Sequence, residues 1–191
     1  EVILAGSTSH HDDTISNSSQ PYKDSTTARR LSPATYVHLG PYEQNGTGGE
    51  LNQKSSNASL TVKLGLGAVD ATAIVGYDDS YLYTLADVDG SALNVTSLPT
   101  DYYSKSWIQE FYLTSAGDGP FSWTLGETYF WRDSGSYRSQ TLSGTTIATD
   151  ASGTQITKAF AVYGQGTYAL TDALKVTLAG RYPTEKKEHS Y

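Results

Sequence analysis

The strongest hydrophobic signal in the chain repeats every two residues. Leu174, Val176, Leu178, Gly180 and Tyr182 share one face, while Lys175, Thr177, Ala179 and Arg181 share the other. Immediately upstream, Phe160, Val162, Gly164, Gly166, Tyr168 and Leu170 oppose Ala161, Tyr163, Gln165, Thr167 and Ala169. Successive side chains of a strand leave opposite faces, so the two runs predict an antiparallel hairpin with one apolar and one polar side. Its turn falls near Thr171-Asp172.

The same alternation recurs upstream. Leu60, Val62, Leu64 and Leu66 oppose Ser59, Thr61, Lys63 and Gly65, and Gly67-Ala68-Val69-Asp70 reads as a tight turn. Ala71 to about Leu85 returns, with Asp78-Asp79 interrupting its pattern. Lys105 to Ser115 sets Trp107, Phe111 and Leu113 against Glu110, Tyr112 and Thr114. After the turn signal Gly117-Asp118-Gly119-Pro120, Phe121 to Arg132 returns with Phe121, Trp123, Leu125, Tyr129 and Trp131 at alternate positions. Val2 to Thr8 is a weaker first strand, ended by His10-His11-Asp12-Asp13. No helix is predicted. The expected fold is all-β, an antiparallel up-and-down meander of about seven strands.

The connections alternate between long and short. Polar loops at about 14–54, 86–103 and 135–157 separate the tight turns. In a meander this collects every long loop at one end and every tight turn at the other, as transmembrane barrels do. Trp107, Tyr129 and Trp131 lie near the long-loop ends, and Phe121, Trp123 and Tyr168 near the short-turn ends. Two aromatic levels with aliphatics between them match the girdles of a lipid-facing wall. The other reading is an aromatic-rich sandwich core, as in a secreted β-sandwich that binds carbohydrate. Patterning favours the wall.

Composition narrows the choice. There are 15 Tyr against 4 Phe, and Tyr collects where one end of the ring stays wet. Mean hydropathy is -0.43, and no apolar run approaches the roughly 18–20 residues of a spanning helix, so any membrane crossing is by strands. The absence of Cys excludes a disulfide scaffold and thiol chemistry, and a net charge of -7 argues against nucleic acid as a partner.

The stretch FAVYGQGTYALTDALKVTLAGRYPTEKKE resembles the "YAVFGQATYHLTDKLSLTAGLRYTHEKK" signature in the barrels of TonB-dependent outer-membrane receptors. IQEFYLTSAGDGPFSWTLGETYFW resembles the hairpin that precedes that signature, and ATAIVGYDD resembles an earlier strand of the same barrels. These segments cover roughly Ser59 to Tyr191 in family order. The resemblance implies a receptor in the outer membrane of a Gram-negative bacterium, importing a scarce ligand such as a ferric siderophore, cobalamin or a glycan. It implies outer-membrane lipid around the wall and TonB as partner through a plug domain that is missing here. Such barrels are 22-stranded and plugged, so residues 1–191 are expected to be an internal portion of one. Glu127 stands where the signature has a small residue, which calls for either a place near the headgroups or a bulge that turns it inward.

Candidate chemistry is sparse. His10, His11, Asp12 and Asp13 are metal-ligand types, but four adjacent residues cannot converge on one ion. Asp87-Val88-Asp89-Gly90 resembles the start of a calcium loop without its closing Glu. Glu110 and Glu127 are weighed as a hydrolytic carboxylate pair, for which the resemblance offers no role. No catalytic set, metal site or cofactor is expected, and the chain is not expected to be an enzyme. Ligand contact is expected of Tyr81, Tyr83, Tyr102 and Tyr103, aromatics flanking the second long loop.

Overall fold

The computed structural model describes residues 1–15, 48–87, 96–117, 119–142 and 145–190. They form seven strands: β1 (Val2–Ile15), β2 (Gly49–Gly65), β3 (Val69–Asp87), β4 (Thr96–Ser115), β5 (Phe121–Leu142), β6 (Thr145–Thr171) and β7 (Leu174–Ser190). All seven belong to one sheet in the order β1-β2-β3-β4-β5-β6-β7. Each strand pairs antiparallel with its neighbour in sequence, and the sheet does not close on itself. No helix occurs among the described residues.

Register carries the sequence periodicity across the whole sheet. Val62 faces Ala73, which faces Phe111, and the row continues through Glu127 and Val162 to Tyr182. A second row joins Leu64, Ala71, Leu113 and Leu125 to Gly164 and Gly180. Because paired residues point to the same side, these rows make one continuous apolar face. Thr61, Glu110, Thr128, Tyr163, Gln165 and Arg181 fall on the other.

That apolar face is uncovered. Among the described residues the buried apolar ones are Ala71 on this face and Ala161 on the other, whereas Leu125 is 57% and Leu178 81% exposed. A sandwich buries its apolar faces against each other. A single layer cannot, and the sandwich reading is overturned.

Aromatic rows bound the apolar face. Tyr77, Trp107 and Trp131 are cross-strand neighbours toward the long-loop end. Phe121 faces Tyr168 toward the short-turn end, with Trp123 beside them. From Trp123 to Trp131 β5 covers about 27 Å at roughly 3.4 Å per residue. Tilted by about 40°, that length rises about 21 Å, and counting from Phe121 instead gives about 26 Å, the usual height of a lipid-facing band being about 25 Å.

The tight turns lie where alternation places them. Gly67, at φ 87°, sits in the β2–β3 turn, where the Leu66 amide donates to the Val69 carbonyl at 2.8 Å. A positive φ there suits a residue without Cβ. Between β6 and β7, the Thr171 hydroxyl accepts from the Leu174 amide at 3.0 Å. The Ala116 amide donates to the Ala68 carbonyl at 2.9 Å, tying two adjacent turns together.

The long-loop ends differ from expectation. The loops expected at 86–103 and 135–157 are largely strand, since β3 reaches Asp87, β4 starts at Thr96, and β5 and β6 meet near Leu142 and Thr145. β1 likewise runs through His10–Asp13 to Ile15, and β2 begins at Gly49. Residues 16–47, most of the loop expected at 14–54, lie outside the described residues, as do residues 88–95 with the calcium-like Val88-Asp89-Gly90. The physical reason is that a ladder is made by the backbone. Above the aromatic row both faces are polar, so the two-residue hydrophobic signal vanishes while pairing continues. Asp78-Asp79 do not break β3 either. Asp78 joins the polar face, and Asp79 emerges beyond Tyr77, where its carboxylate lies 3.5 Å from Lys105 Nζ.

Candidate functional site

The polar face carries a network in the middle of the sheet. Tyr163 of β6 stands opposite Gly126 of β5, which stands opposite Tyr112 of β4. The Tyr163 ring leans across β5 and donates its hydroxyl hydrogen to Glu110 Oε1 on β4 at 2.7 Å. Only a residue without a side chain lets it pass. A Cβ on Gly126 would come within 2.5 Å of Tyr163 Cζ and 2.8 Å of Tyr112 Cβ. Arg181 pairs with Tyr163 from β7, and Thr128 pairs with Glu110. With Gln165 these residues line a shallow hollow of mixed charge.

A second cluster lies beyond the Tyr77–Trp107–Trp131 row. Tyr81 and Tyr83 of β3 face Tyr103 and Asp101 of β4 on the continuation of the apolar face. Tyr81 donates to Asp101, and Tyr103 donates to Asp133 at 3.3 Å. The Tyr103 ring also lies against Gly135, where a Cβ would come within 2.7 Å of it. The bond to Asp101, aided by partial burial, pushes the Tyr81 phenol up to about 12. Burial first, and then the Asp133 carboxylate, raises Tyr103. Burial, Glu50 and Asp101 raise Tyr83. Each carboxylate opposes a second negative charge beside it.

The structure divides the four sequence-predicted ligand tyrosines. Tyr81, Tyr83 and Tyr103 lie on the face that carries Trp107, whereas Tyr102 lies on the polar face. Tyr102 and Tyr103 border one hollow with Ser134, Gly135, Gln155 and His189. The Glu110–Tyr163 network was missed by sequence reasoning. The one available signal was Gly126 breaking an otherwise bulky strand, and it does not reveal which ring fills the gap.

Other candidates come apart. β1 alternation puts His10 with Asp12, at 2.7 Å, on one face and His11 with Asp13, at 3.9 Å, on the other. No group of three or more metal-ligand side chains converges among the described residues. Glu110 pairs with Thr128 and Glu127 with Phe111, so the sheet separates the two carboxylates and they cannot flank one bond. β5 carries no bulge near Glu127; its register shifts lie beyond Ser136. Glu127 therefore points out on the apolar face, midway between Trp123 and Trp131, and neither expected escape applies.

Residues 4–190 match the family described as TonB dependent receptor-like, beta-barrel. The chain belongs to that family. TonB-dependent receptors are outer-membrane β-barrel transporters of Gram-negative bacteria. No curated protein matches the chain in sequence. Among solved structures, the ferric yersiniabactin uptake receptor FyuA from Yersinia pestis superposes with a TM-score of 0.66 at 9% identity. The match covers 98% of this chain and 31% of that one, so the chain spans about a third of the receptor's length. At that identity the likeness carries the fold alone. It fits the present sheet, an up-and-down run of barrel strands.

Two outcomes test the clusters. Gly126→Ala is expected to expel the Tyr163 ring, break its bond to Glu110 and cost about 1–3 kcal/mol in denaturant unfolding. Tyr163→Phe, which keeps the ring, should cost only about 1 kcal/mol. At the second cluster, Tyr81 has a folded pKa above the ordinary tyrosine value of about 10. Its bond to Asp101 therefore stabilises the sheet fully below about pH 10, and that contribution is lost as pH rises through about 12. In an alkaline ultraviolet titration Tyr81→Phe should remove a step near pH 12; an unchanged curve there would count against the bond.

Proposed function

We propose that the chain forms part of the wall of an outer-membrane receptor that imports a scarce small molecule, with TonB supplying the energy through a plug domain. The observation that carries this reading is the uncovered apolar face, bounded by aromatic rows and backed by a polar face. Water would not leave such a surface open, because a contiguous apolar patch of that extent seeks a partner. Hydrocarbon accepts it, and the polar face then lines the interior. The wall sits in the outer membrane of a Gram-negative bacterium, with its short turns toward the periplasm and its long strands outside.

The ligand is a small molecule of the ferric siderophore, cobalamin or glycan class. We assign ligand contact to the outer end of the wall, where Tyr81, Tyr83, Tyr102 and Tyr103 stand. Tyr102, on the polar face beside the Gly135 hollow, is the member best placed to stack on a ring entering the interior. On the opposite side Tyr81 and Tyr103 donate to Asp101 and Asp133, and these bonds brace that end of the wall beside Tyr83.

Two measurements test the reading. Val62→Arg puts a cation on the apolar face near mid-band and is expected to cost about 2–4 kcal/mol of stability in lipid vesicles. Thr61→Arg, one residue away on the polar face, should cost less than about 1 kcal/mol; equal costs would remove lipid from the apolar face. For transport, cells carrying the protein should accumulate a labelled ligand from a siderophore, cobalamin and glycan panel only while TonB is present. Accumulation that survives loss of TonB would overturn energised import.

A further inference from the structure

Beyond the Tyr77–Trp107–Trp131 row, charge is sorted between the two faces of the sheet. The continuation of the apolar face carries Asp79, Asp101, Lys105, Asp133 and Glu188. On β4, β5 and β6 the polar face carries Arg132 there, and no acid up to the β5–β6 register shifts. Arg132 and Asp133 are neighbours in sequence and leave opposite sides of the wall.

Arg132 is exposed and has no carboxylate partner among the described residues. Both flanking strands are described, and its row holds Ser106 on β4 and Thr157 on β6. The row ends in Asp78 on β3 and Lys187 on β7, each two strand spacings or about 10 Å away. Lys187 is taken by Glu185, at 2.7 Å. The Arg132 guanidinium lies 5.3 Å from the centroid of the Phe130 ring, a contact that holds the cation without using its N–H donors. The pattern extends down the wall. On the described polar faces of β5, β6 and β7 below the shifts, Arg132, Lys175, Arg181 and Lys187 stand against Glu185 alone, in a chain of net charge -7.

We propose that this wall selects an anionic ligand, with the Arg132 fork meeting its carboxylate, phenolate or catecholate oxygens. A planar guanidinium with free donors suits paired oxygens of that kind. Tyr102, the stacking position, lies about 14 Å further out along the same face. Ser134, Gln155 and His189 stand between the two and offer hydrogen bonds to the rest of the molecule. Acids outside and cations inside steer an arriving anion into the interior rather than along the outer surface. The inference names the ligand class of the site proposed above, and rests on the reading that the polar face lines the interior of an importing receptor.

The test uses the full protein in cells. The chain has no cysteine, so Ser134→Cys introduces one thiol into it, one row outward from Arg132 on the polar face. Its reaction rates with an anionic sulfonatoethyl and a cationic trimethylammonioethyl methanethiosulfonate are each divided by the rate with free 2-mercaptoethanol. The anionic reagent should be favoured at least about threefold, a preference that Arg132→Gln abolishes and Arg132→Lys keeps. The same cells are then offered an anionic ferric tris-catecholate, a cationic ferric trihydroxamate, cobalamin and a maltooligosaccharide. TonB-dependent uptake of the anionic chelate is expected, with its half-saturating concentration raised at least about tenfold by Arg132→Gln. A cationic preference at position 134, a preference indifferent to Arg132→Gln, or TonB-dependent uptake of the cationic or neutral probes instead would overturn the anionic class and leave the receptor reading intact. If neither reagent reached position 134 while Thr154→Cys on the opposite face still reacted, the interior reading itself would fall, and the proposal with it.

Discussion

Every backbone donor and acceptor of a wall immersed in hydrocarbon must find its partner in the next strand, because no water is there to stand in. That requirement explains why the sheet can exist with almost no core. Its cohesion comes from the ladders joining β1 to β7, which run in regular register through the span bounded by the aromatic rows. The irregularities lie outside that span or at its short-turn edge. Leu98 and Pro99 have no partners on β5, as expected where proline brings no amide hydrogen, and the β5–β6 shifts follow Ser136. The remaining shift, between Ala169 and Thr171, adjoins the last tight turn. All are places where water can satisfy what the ladder leaves open.

With the backbone committed to the ladder, side chains on the two faces are free to serve different solvents. On one face aliphatics and Gly164 alternate with little specific interlock. On the other, the Tyr163 ring crosses β5 over Gly126 to reach Glu110, coupling three strands through one side chain. Glu110 and Glu127 illustrate the division: on adjacent strands of the same hairpin, one is held by a phenol and the other points out on the apolar face with no side-chain bond to a described residue.

Strand order, the tight turns and the two faces were legible in the sequence because they depend on local alternation, which lipid on one side and water on the other enforce. Leu174 to Tyr182 shows this most plainly. The outer halves of the strands were not legible. Between Asp79 and Asp87, and between Thr96 and Lys105, neither face is consistently apolar, so nothing in the order of polar and apolar residues betrays the pairing. The site was legible only in part. Tyr81, Tyr83, Tyr102 and Tyr103 were recognisable as aromatics near one loop, but which face each takes depends on register, and a shift of one residue inverts it. The partnership of Tyr163 with Glu110 joins residues far apart in sequence and leaves no local trace.

The outer halves have a consequence of their own. Past Tyr77, β3 continues to Asp87, a further length of about 34 Å at roughly 3.4 Å per residue, paired on both sides for most of the way. Tilted by about 40°, that length rises about 26 Å, and a braced sheet of that height is a parapet. With the aromatic rows at the bilayer surfaces, it lifts the crests of the wall well clear of the headgroups. Its crests are therefore wetted on both faces, which the part of the wall between the aromatic rows never is.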